Sequence, residues 1–307
     1  RRGSDELLLC GGGAARLAET SVVRDAELLV AVEAEEPRPG PGDRPPLPLV
    51  RLASAVEPEW LLDLMPERLA ERTEVRFDAR AGRVEEISTL SWDGLVLHES
   101  RKPATGPEAE RVLAEAAQAA GPAAFCDPEE LAAWRARVAF AARYLEDLPP
   151  VDDDAVRAAL AELCRGRRSL GELRSAEGGG LVGWLRARLE PRQRAAVERL
   201  APERVEVNGR RLRVMWEPGR EPWVESRLQD FFGLAEGPRV GDGRVPLVLH
   251  LLAPSRRPVQ VTTDLAGFWE RHYPKVRREL MRRYPKHAWP ENPRTAGGTA
   301  TRSRRTS

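Results

Sequence analysis

The spacing of apolar residues changes twice along this 307-residue chain, and these changes limit the folds that it can adopt. Residues 1–106 alternate apolar and polar positions in short runs, which is typical of half-buried β-strands. In residues 107–203 the apolar positions recur every three to four residues, as on the buried face of a helix. Residues 204–293 combine both patterns. The sequence therefore predicts an α+β fold with a β-rich part, a helical part and a mixed α/β part.

The β-rich part is expected to form an OB-like β-barrel. Its strand-like runs are separated by turn residues and occupy residues 6–10, 27–35 and 49–56. A helix with one apolar face fits residues 58–72, and alternation around two glycine turns predicts antiparallel hairpins over residues 73–100. Strands, then a helix, then further strands is the order of an OB-type fold, which often binds single-stranded nucleic acid.

The helical part has nearly balanced charge, which favours a packing or spacing role. The expected helices cover residues 107–120, 128–147, 153–165 and 190–200. Asp127 and Asp152 precede two of them and have the side chains that cap a helix N-terminus.

The mixed part opens with a predicted hairpin, because Asn208-Gly209 lies between two strand-like runs. A helix is expected at residues 224–232, followed by strands at 247–252 and 258–262 and one basic helix from Asp264 to Arg283. Residues 294–307 have no apolar anchor and are expected to be disordered.

Positive charge is concentrated near the C-terminus. From Asp264 to Ser307 there are 11 Lys or Arg against 4 Asp or Glu, a local charge of +7, whereas the whole chain carries +1. On the basic helix an apolar stripe is expected to be core, and it consists of Trp269, Tyr273, Val276, Leu280 and Tyr284. The candidate nucleic-acid-binding residues are Arg256, Arg257, Lys275, Arg277, Arg278, Arg282, Arg283 and Lys286. Such a cluster suits contact with a phosphate backbone, although a solvated helix face would carry the same residues.

The sequence contains no recognisable catalytic or metal-binding pattern. The first lysine is Lys102, so Gly11-Gly12-Gly13 is not a phosphate-binding loop. The four histidines and three cysteines have none of the spacings that bind metals, and the odd, scattered cysteines argue against disulfides. We predict no catalytic residue, no metal, no membrane span and a cytoplasmic location.

Several segments resemble bacterial HrpB-type ATP-dependent RNA helicases, of the DEAH/RHA class in superfamily 2. The resemblance is carried by PLVLHLLAPSRRPVQVTTDLAGFW, by RYPKHAWPE and, towards the N-terminus, by ELLLCGGGAARL and LEPRQRAAVERLAPERV. It covers nearly all of residues 5–293. One departure is Asn292, where the family pattern is closer to WPEDP.

The resemblance implies an accessory C-terminal region that lies beside an RNA channel. Its expected partners are RNA or single-stranded nucleic acid and a RecA-like helicase core in cis. ATP and magnesium are expected on RecA-like motor domains whose motifs this sequence lacks, so the chain is expected to be inactive alone. The missing initiator Met makes a fragment the expected form. Two alternatives stay open: a protein-binding or purely structural module without RNA affinity, and, with little support, an independent enzyme.

Overall fold

The computed structural model describes residues 5–36, 47–175 and 180–296. The chain divides into two compact units, Arg1–Leu113 with Gly166–Leu170, and Ala114–Arg165 with Gly171–Ser307. The predicted domain limits at residues 106, 203 and 293 stay predictions. Residues 297–307 of the predicted disordered tail lie outside the described part of the chain.

The described strands of the first unit form two sheets. The first sheet has the strand order β1-β2-β4-β3, and its strands are β1 (Glu6–Leu8), β2 (Ala14–Leu17), β3 (Leu28–Glu35) and β4 (Leu49–Val56). In this sheet β2 and β4 are parallel, and the other pairs are antiparallel. The second sheet is an antiparallel meander of β5 (Leu69–Asp78), β6 (Arg83–Trp92) and β7 (Leu95–Pro103), as the alternating pattern predicted.

The predicted OB-like barrel is not confirmed, because the described strands form two separate sheets and no closed barrel. Strand β2 had no counterpart in the prediction, since it has only four residues and follows the glycine turn at 11–13. The backbone N–H of Gly11 donates to the carbonyl of Asp93 at 2.9 Å, so the turns that follow β1 and β6 are joined without a strand pair.

The helix predicted at residues 58–72 is much shorter than expected. Helix α1 is Pro58–Leu64, because Met65 leaves the helical region (φ −144°) before Pro66, and β5 starts at Leu69. A residue before proline disfavours helical angles, which explains where α1 ends. The predicted apolar face is not core, since Trp60 is 52% exposed and Leu64 is 75% exposed.

The central helices largely follow the prediction, and they are α2 (Pro107–Ala120), α3 (Pro128–Ala141), α4 (Asp153–Leu163), α5 (Leu170–Arg174), α6 (Gly180–Ala187) and α7 (Pro191–Leu200). Asp127 accepts a hydrogen bond from the N–H of Glu129, and Asp152 accepts one from that of Ala155, so both predicted caps are confirmed. Helices α5 and α6 had no counterpart in the prediction.

A five-stranded sheet organises the second unit in the order β14-β13-β10-β9-β8. Its strands are β8 (Arg204–Val207), β9 (Arg210–Met215), β10 (Trp223–Arg227), β13 (Val248–Leu252) and β14 (Pro258–Thr262), while β11 (Arg239–Val240) and β12 (Val245–Pro246) pair separately. The hairpin at Asn208-Gly209 is confirmed, with φ of 51° and 74° at its two turn residues.

The helix predicted at residues 224–232 is wrong. That segment begins in β10, which lies at the centre of the sheet, parallel to β13 and antiparallel to β9. A short 3-10 turn, Leu228–Phe231, follows the strand. Trp223 and Val224 suit a strand, but their partners lie 8 and 10 positions away in β9 and 25 positions away in β13.

The predicted basic helix is two helices, α8 (Leu265–Arg271) and α9 (Tyr273–Arg283). Pro274 lies in the first turn of α9, where its missing N–H costs nothing, and the break falls at His272. The predicted apolar stripe is core, because Trp269, Tyr273 and Leu280 are buried with the sheet residues, and Val276 and Tyr284 pack against them.

Candidate nucleic-acid interface

Asp264 fixes the start of α8. One carboxylate oxygen accepts the N–H of Gly267 at 2.7 Å, and the other lies 2.7 Å from Nη2 of Arg271. The backbone hydrogen bond from Gly267, followed by that from the Arg271 guanidinium, lowers the pKa of Asp264 below its ordinary value. The cap and the ion pair therefore fix the start of α8, which leads into the basic helix α9.

Tyr273 attaches α9 to the segment that follows it. Its side chain is buried, and its hydroxyl donates to the carbonyl of Pro290 at 2.9 Å. Burial raises the pKa of Tyr273 to about 12. Trp289 is also buried, and its indole N–H donates to the carbonyl of Tyr284 at 3.0 Å. Residues 284–290 are thereby folded back onto α9.

Four predicted cations of α9 lie on its solvent-exposed side. Lys275, Arg278, Arg282 and Arg283 are exposed. Arg278 donates to the carbonyl of Pro274 at 3.3 Å within the helix, and the guanidinium carbon of Arg283 lies 5.9 Å from the centroid of the Tyr284 ring. Among the described residues, no carboxylate pairs with any of these four side chains. This side of the helix can accept phosphate groups.

Arg277 differs from its neighbours because its guanidinium is engaged within the protein. The side chain is 23% exposed, Nε donates to the carbonyl of Trp289 at 2.9 Å, and Nη2 lies 3.4 Å from Glu291. The structure therefore places this predicted binding residue in the contact between α9 and the Trp289 segment.

The turn between β13 and β14 carries Arg256 and Arg257, and both are exposed. Arg256 has a left-handed backbone conformation (φ 62°), and its N–H donates to the carbonyl of Ala253 at 2.9 Å. The hydroxyls of Ser255 and Tyr284 lie 2.5 Å apart, so a hydrogen bond holds this turn against the C-terminal end of α9. The structure brings together the two cationic segments that the sequence had grouped.

Two adjoining clefts lie beside this turn. The larger, of about 530 Å³, is lined in part by Arg210, Arg227, Lys286 and His287, and the smaller, of about 340 Å³, by Arg210, Arg227 and Arg256. Of the predicted binding residues, only Arg256 and Lys286 line them. We call Arg210, Arg227, Arg256 and Lys286, with the space that they enclose, the cationic cleft.

A buried carboxylate forms part of the wall shared by the two clefts. Asp230 is 5% exposed, accepts a hydrogen bond from the Ser226 hydroxyl at 2.5 Å, and lies 3.1 Å from Nη1 of Arg210. The side-chain amide of Asn208 donates to the carbonyls of Asp230 and Phe232, at 2.9 and 2.8 Å. This network fixes Arg210 at the end of the hairpin turn.

Sequence reasoning missed Arg210 and Arg227 for different reasons. Arg210 directly follows the recognised Asn208-Gly209 turn, so its position at a hairpin end could have been proposed. Arg227 lies in the segment that was predicted to be a helix. Only its assignment to the end of β10 places it beside Arg256.

Within residues 5–36, 47–175 and 180–296, no group of three or more His, Cys, Asp or Glu is arranged to hold a metal ion. Cys10, Cys126 and Cys164 form no disulfide. In the same described ranges, no helix is long and apolar enough to cross a membrane.

Comparison with known proteins identifies relatives of both the sequence and the fold. Residues 160–293 match the HrpB_C family model, described as ATP-dependent helicase C-terminal. The ATP-dependent RNA helicase HrpB of Escherichia coli (strain K12) is 36% identical over 169 residues, which are 54% of this chain and 21% of that protein.

Two solved structures resemble nearly the whole chain. The E. coli DExH-box NTPase HrpB matches with a TM-score of 0.60 and 29% identity, over 97% of this chain and 37% of that one. The Escherichia coli DEAH/RHA helicase HrpB matches with a TM-score of 0.52 and 28% identity, over 94% and 36%. The chain thus spans about a fifth of the curated relative and just over a third of the solved chains. The chain is similar to the C-terminal region of HrpB-type ATP-dependent helicases, and residues 160–293 match the family model of that C-terminal domain.

Proposed function

We propose that this chain is an accessory part of an ATP-dependent RNA helicase of the HrpB type. In this proposal its second unit contacts RNA phosphates, and the chain packs on a RecA-like helicase core. ATP and magnesium are bound by that core, because this sequence has no glycine-rich loop followed by Lys and Ser or Thr. The chain alone then has no ATPase activity.

The observation that carries the RNA contact is the charge of α9. The helix contains five Lys or Arg and a single Glu, and four of the cations are exposed. The buried Tyr273 and Leu280 hold the opposite side of the helix in the core, so the cations present a fixed surface. Such a surface supports binding to any RNA sequence, because it neutralises phosphates and releases their counterions.

A binding assay tests the RNA contact. The affinity of the chain for a fluorescent single-stranded oligoribonucleotide is measured by anisotropy over a range of salt concentrations. We expect the variant with Lys275→Glu, Arg278→Glu and Arg282→Glu to bind more weakly, and its salt dependence to fall by about 0.7 in slope per lost phosphate contact.

A matched control reverses three exposed arginines of α7, Arg192, Arg194 and Arg199, and so makes the same change in net charge within the same unit. This variant should keep the wild-type salt dependence. Equal binding by the α9 variant and the wild type would contradict RNA contact through α9.

A second candidate function is that of a protein-binding module, and the first unit favours it. Most of the exposed large apolar side chains among the described residues lie there, and they include Leu8, Val22, Val30, Val32, Leu52, Trp60 and Leu64. Three of them, Val30, Val32 and Leu52, lie on the paired strands β3 and β4, and a continuous apolar patch on a protein surface is typical of an interaction site. In our proposal its partner is the helicase core.

Co-elution distinguishes this role from RNA binding. The chain is mixed with the part of E. coli HrpB that it does not match, and complex formation is measured by size-exclusion chromatography with light scattering. The double variant Val32→Ser and Leu52→Ser should weaken the complex and leave RNA affinity unchanged. A complex of unchanged affinity would exclude this surface as the contact.

A further inference from the structure

Four cations converge on the cationic cleft from four separate segments of the chain. Arg210 begins β9, Arg227 ends β10, Arg256 lies in the turn after β13, and Lys286 follows α9. Two of them, Arg210 and Arg227, line both of the adjoining clefts. The charges are therefore brought together by the sheet, and not by a run of basic residues in the sequence.

The negative groups around the cleft do not neutralise these cations. Glu225 and Asp230 are the lining carboxylates, and Asp230 is already bonded to Ser226 and paired with Arg210. Among the described residues, the side chains of Arg227 and Arg256 have no hydrogen-bond or ion-pair partner. Four cations against two carboxylates leave an excess of positive charge, with two guanidinium groups available for an anion.

The geometry of the cleft differs from that of α9. A concave site concentrates the field of its charges more than the outside of a helix does. A guanidinium presents its N–H groups as a planar fork that matches two oxygens of a phosphate. Since Arg227 and Arg256 line one cleft of about 340 Å³, a phosphate held there can be contacted from the end of β10 and from the turn between β13 and β14.

The larger cleft continues beyond this position along less polar residues. Ala288, Trp289 and Pro290 form part of its lining, and the exposed ring of His287 lies at the same cleft. Its volume of about 530 Å³ falls within the range of small-molecule sites, roughly 300–1,000 Å³. A phosphate group beside an apolar-lined space is the arrangement that a nucleotide needs, since its sugar and base extend away from the phosphate.

We infer that the cationic cleft is a binding site for a nucleotide phosphate, held by Arg227 and Arg256 and distinct from the exposed side of α9. The inference depends on the proposed RNA contact in one respect, namely that the phosphate comes from RNA. It is then either an internal phosphodiester or a terminal monoester. Arg210 is held by Asp230 and completes the wall, and Lys286 adds charge on the side of the larger cleft.

The test uses three probes with the full chain: a 5′-phosphorylated tetraribonucleotide, the same tetranucleotide with a 5′-hydroxyl, and inorganic phosphate. Binding is measured by calorimetry at low salt. The variant with Arg227→Ala and Arg256→Ala is compared with a variant that has Arg204→Ala and Arg213→Ala. These control arginines are exposed, face each other on β8 and β9, and do not line either cleft.

We expect the cleft variant to bind the phosphorylated tetranucleotide about tenfold more weakly than wild type, because it loses charge-assisted hydrogen bonds. The control should lose less than about threefold, from the change in net charge alone. If the cleft variant loses affinity for the 5′-phosphorylated tetranucleotide but not for the 5′-hydroxyl form, the site binds a terminal phosphate. If it loses affinity equally for both forms, the site binds internal phosphates. In either case inorganic phosphate should bind more weakly to the cleft variant.

The inference is overturned if the cleft variant binds all three probes like the control, or if the wild type binds none of them. Reversal of the α9 charges separates this result from the proposed function. If only the α9 variant loses RNA binding, RNA contact through α9 is supported and the cleft inference is refuted. If only the cleft variant loses RNA binding, the cleft inference is supported and RNA contact through α9 is refuted.

Discussion

Arg137 provides a direct test of how the second unit is held together. It lies on α3, is 1% exposed, and its guanidinium reaches three acceptors beyond its own helix. Nε donates to the carbonyl of Ala201 at 2.6 Å, while the two terminal nitrogens lie 2.7 Å from Glu203 and 2.5 Å from Glu198. A single side chain thus connects α3 to α7 and to the start of β8.

The change Arg137→Met keeps the length and much of the apolar stem and removes all three bonds. The carbonyl of Ala201, in a residue with 0% exposure, loses its donor, which costs about 1–3 kcal/mol. Glu198 and Glu203 are 55% and 54% exposed, so each lost ion pair counts as a surface pair of about 0.2–1 kcal/mol. We expect a loss of about 1.4–5 kcal/mol in the free energy of unfolding.

Urea unfolding followed by tryptophan fluorescence measures this loss. Arg137→Lys should fall between wild type and the Met variant, because one ammonium cannot reach three acceptors that lie in different directions. Arg192→Met is the control, since Arg192 is 72% exposed and pairs only with surface carboxylates. If Arg137→Met unfolds within about 0.5 kcal/mol of the control, a threshold typical of surface substitutions, the bonds of Arg137 do not hold these elements together.

Three further predictions concern single residues. Tyr273 keeps its proton in the folded state up to a pKa of about 12 but loses it near 10 when unfolded, so stability should fall by about 2–3 kcal/mol between pH 10 and 12. This loss should be absent from pH-dependent urea titrations of Tyr273→Phe, and a matching loss in that variant would contradict the assignment. Asn208→Ala should lower stability by about 2 kcal/mol in urea unfolding, because two backbone carbonyls lose their amide donor and the left-handed turn is strained. Asn208→Gly relieves only the strain, so it should recover part of this stability. Full recovery would show that the hydrogen bonds of Asn208 do not contribute. Asp152→Ala should cost about 1 kcal/mol in thermal unfolding through loss of the α4 cap, whereas Asp152→Asn should be nearly neutral, and equal effects of both would refute capping.

Elements with a local cause could be predicted from the sequence. The Asn208-Gly209 hairpin and the Asp127 and Asp152 caps depend on residues only a few positions apart. The meander over residues 69–103 joins consecutive strands through short turns, so its alternating pattern and its turn residues were enough to predict it. The break between α8 and α9 also had a local cause in Pro274 that the periodicity concealed. Its apolar stripe continues across the break, so the spacing alone predicted one helix.

Elements that depend on distant partners could not be predicted in this way. Trp223–Arg227 is a strand because β13 and β9 provide backbone hydrogen-bond partners on its two sides. The sequence of residues 224–232 alone had predicted a short helix. The two sheets of the first unit likewise depend on which strand edges pair, and the order of strands and helix alone suggested a barrel.

The amino-acid sequence by itself determined the helical and strand-forming segments with local causes, the resemblance to HrpB-type helicases and the concentration of cations near the C-terminus. Only the tertiary structure decided which cations are available and where they meet. Arg277 donates to the carbonyl of Trp289, whereas Arg210 and Arg227 line two adjoining clefts, one with Lys286 and the other with Arg256. The physical reason is that a charge cluster is a property of distances in space, and the sheet sets these distances by pairing segments far apart in the chain.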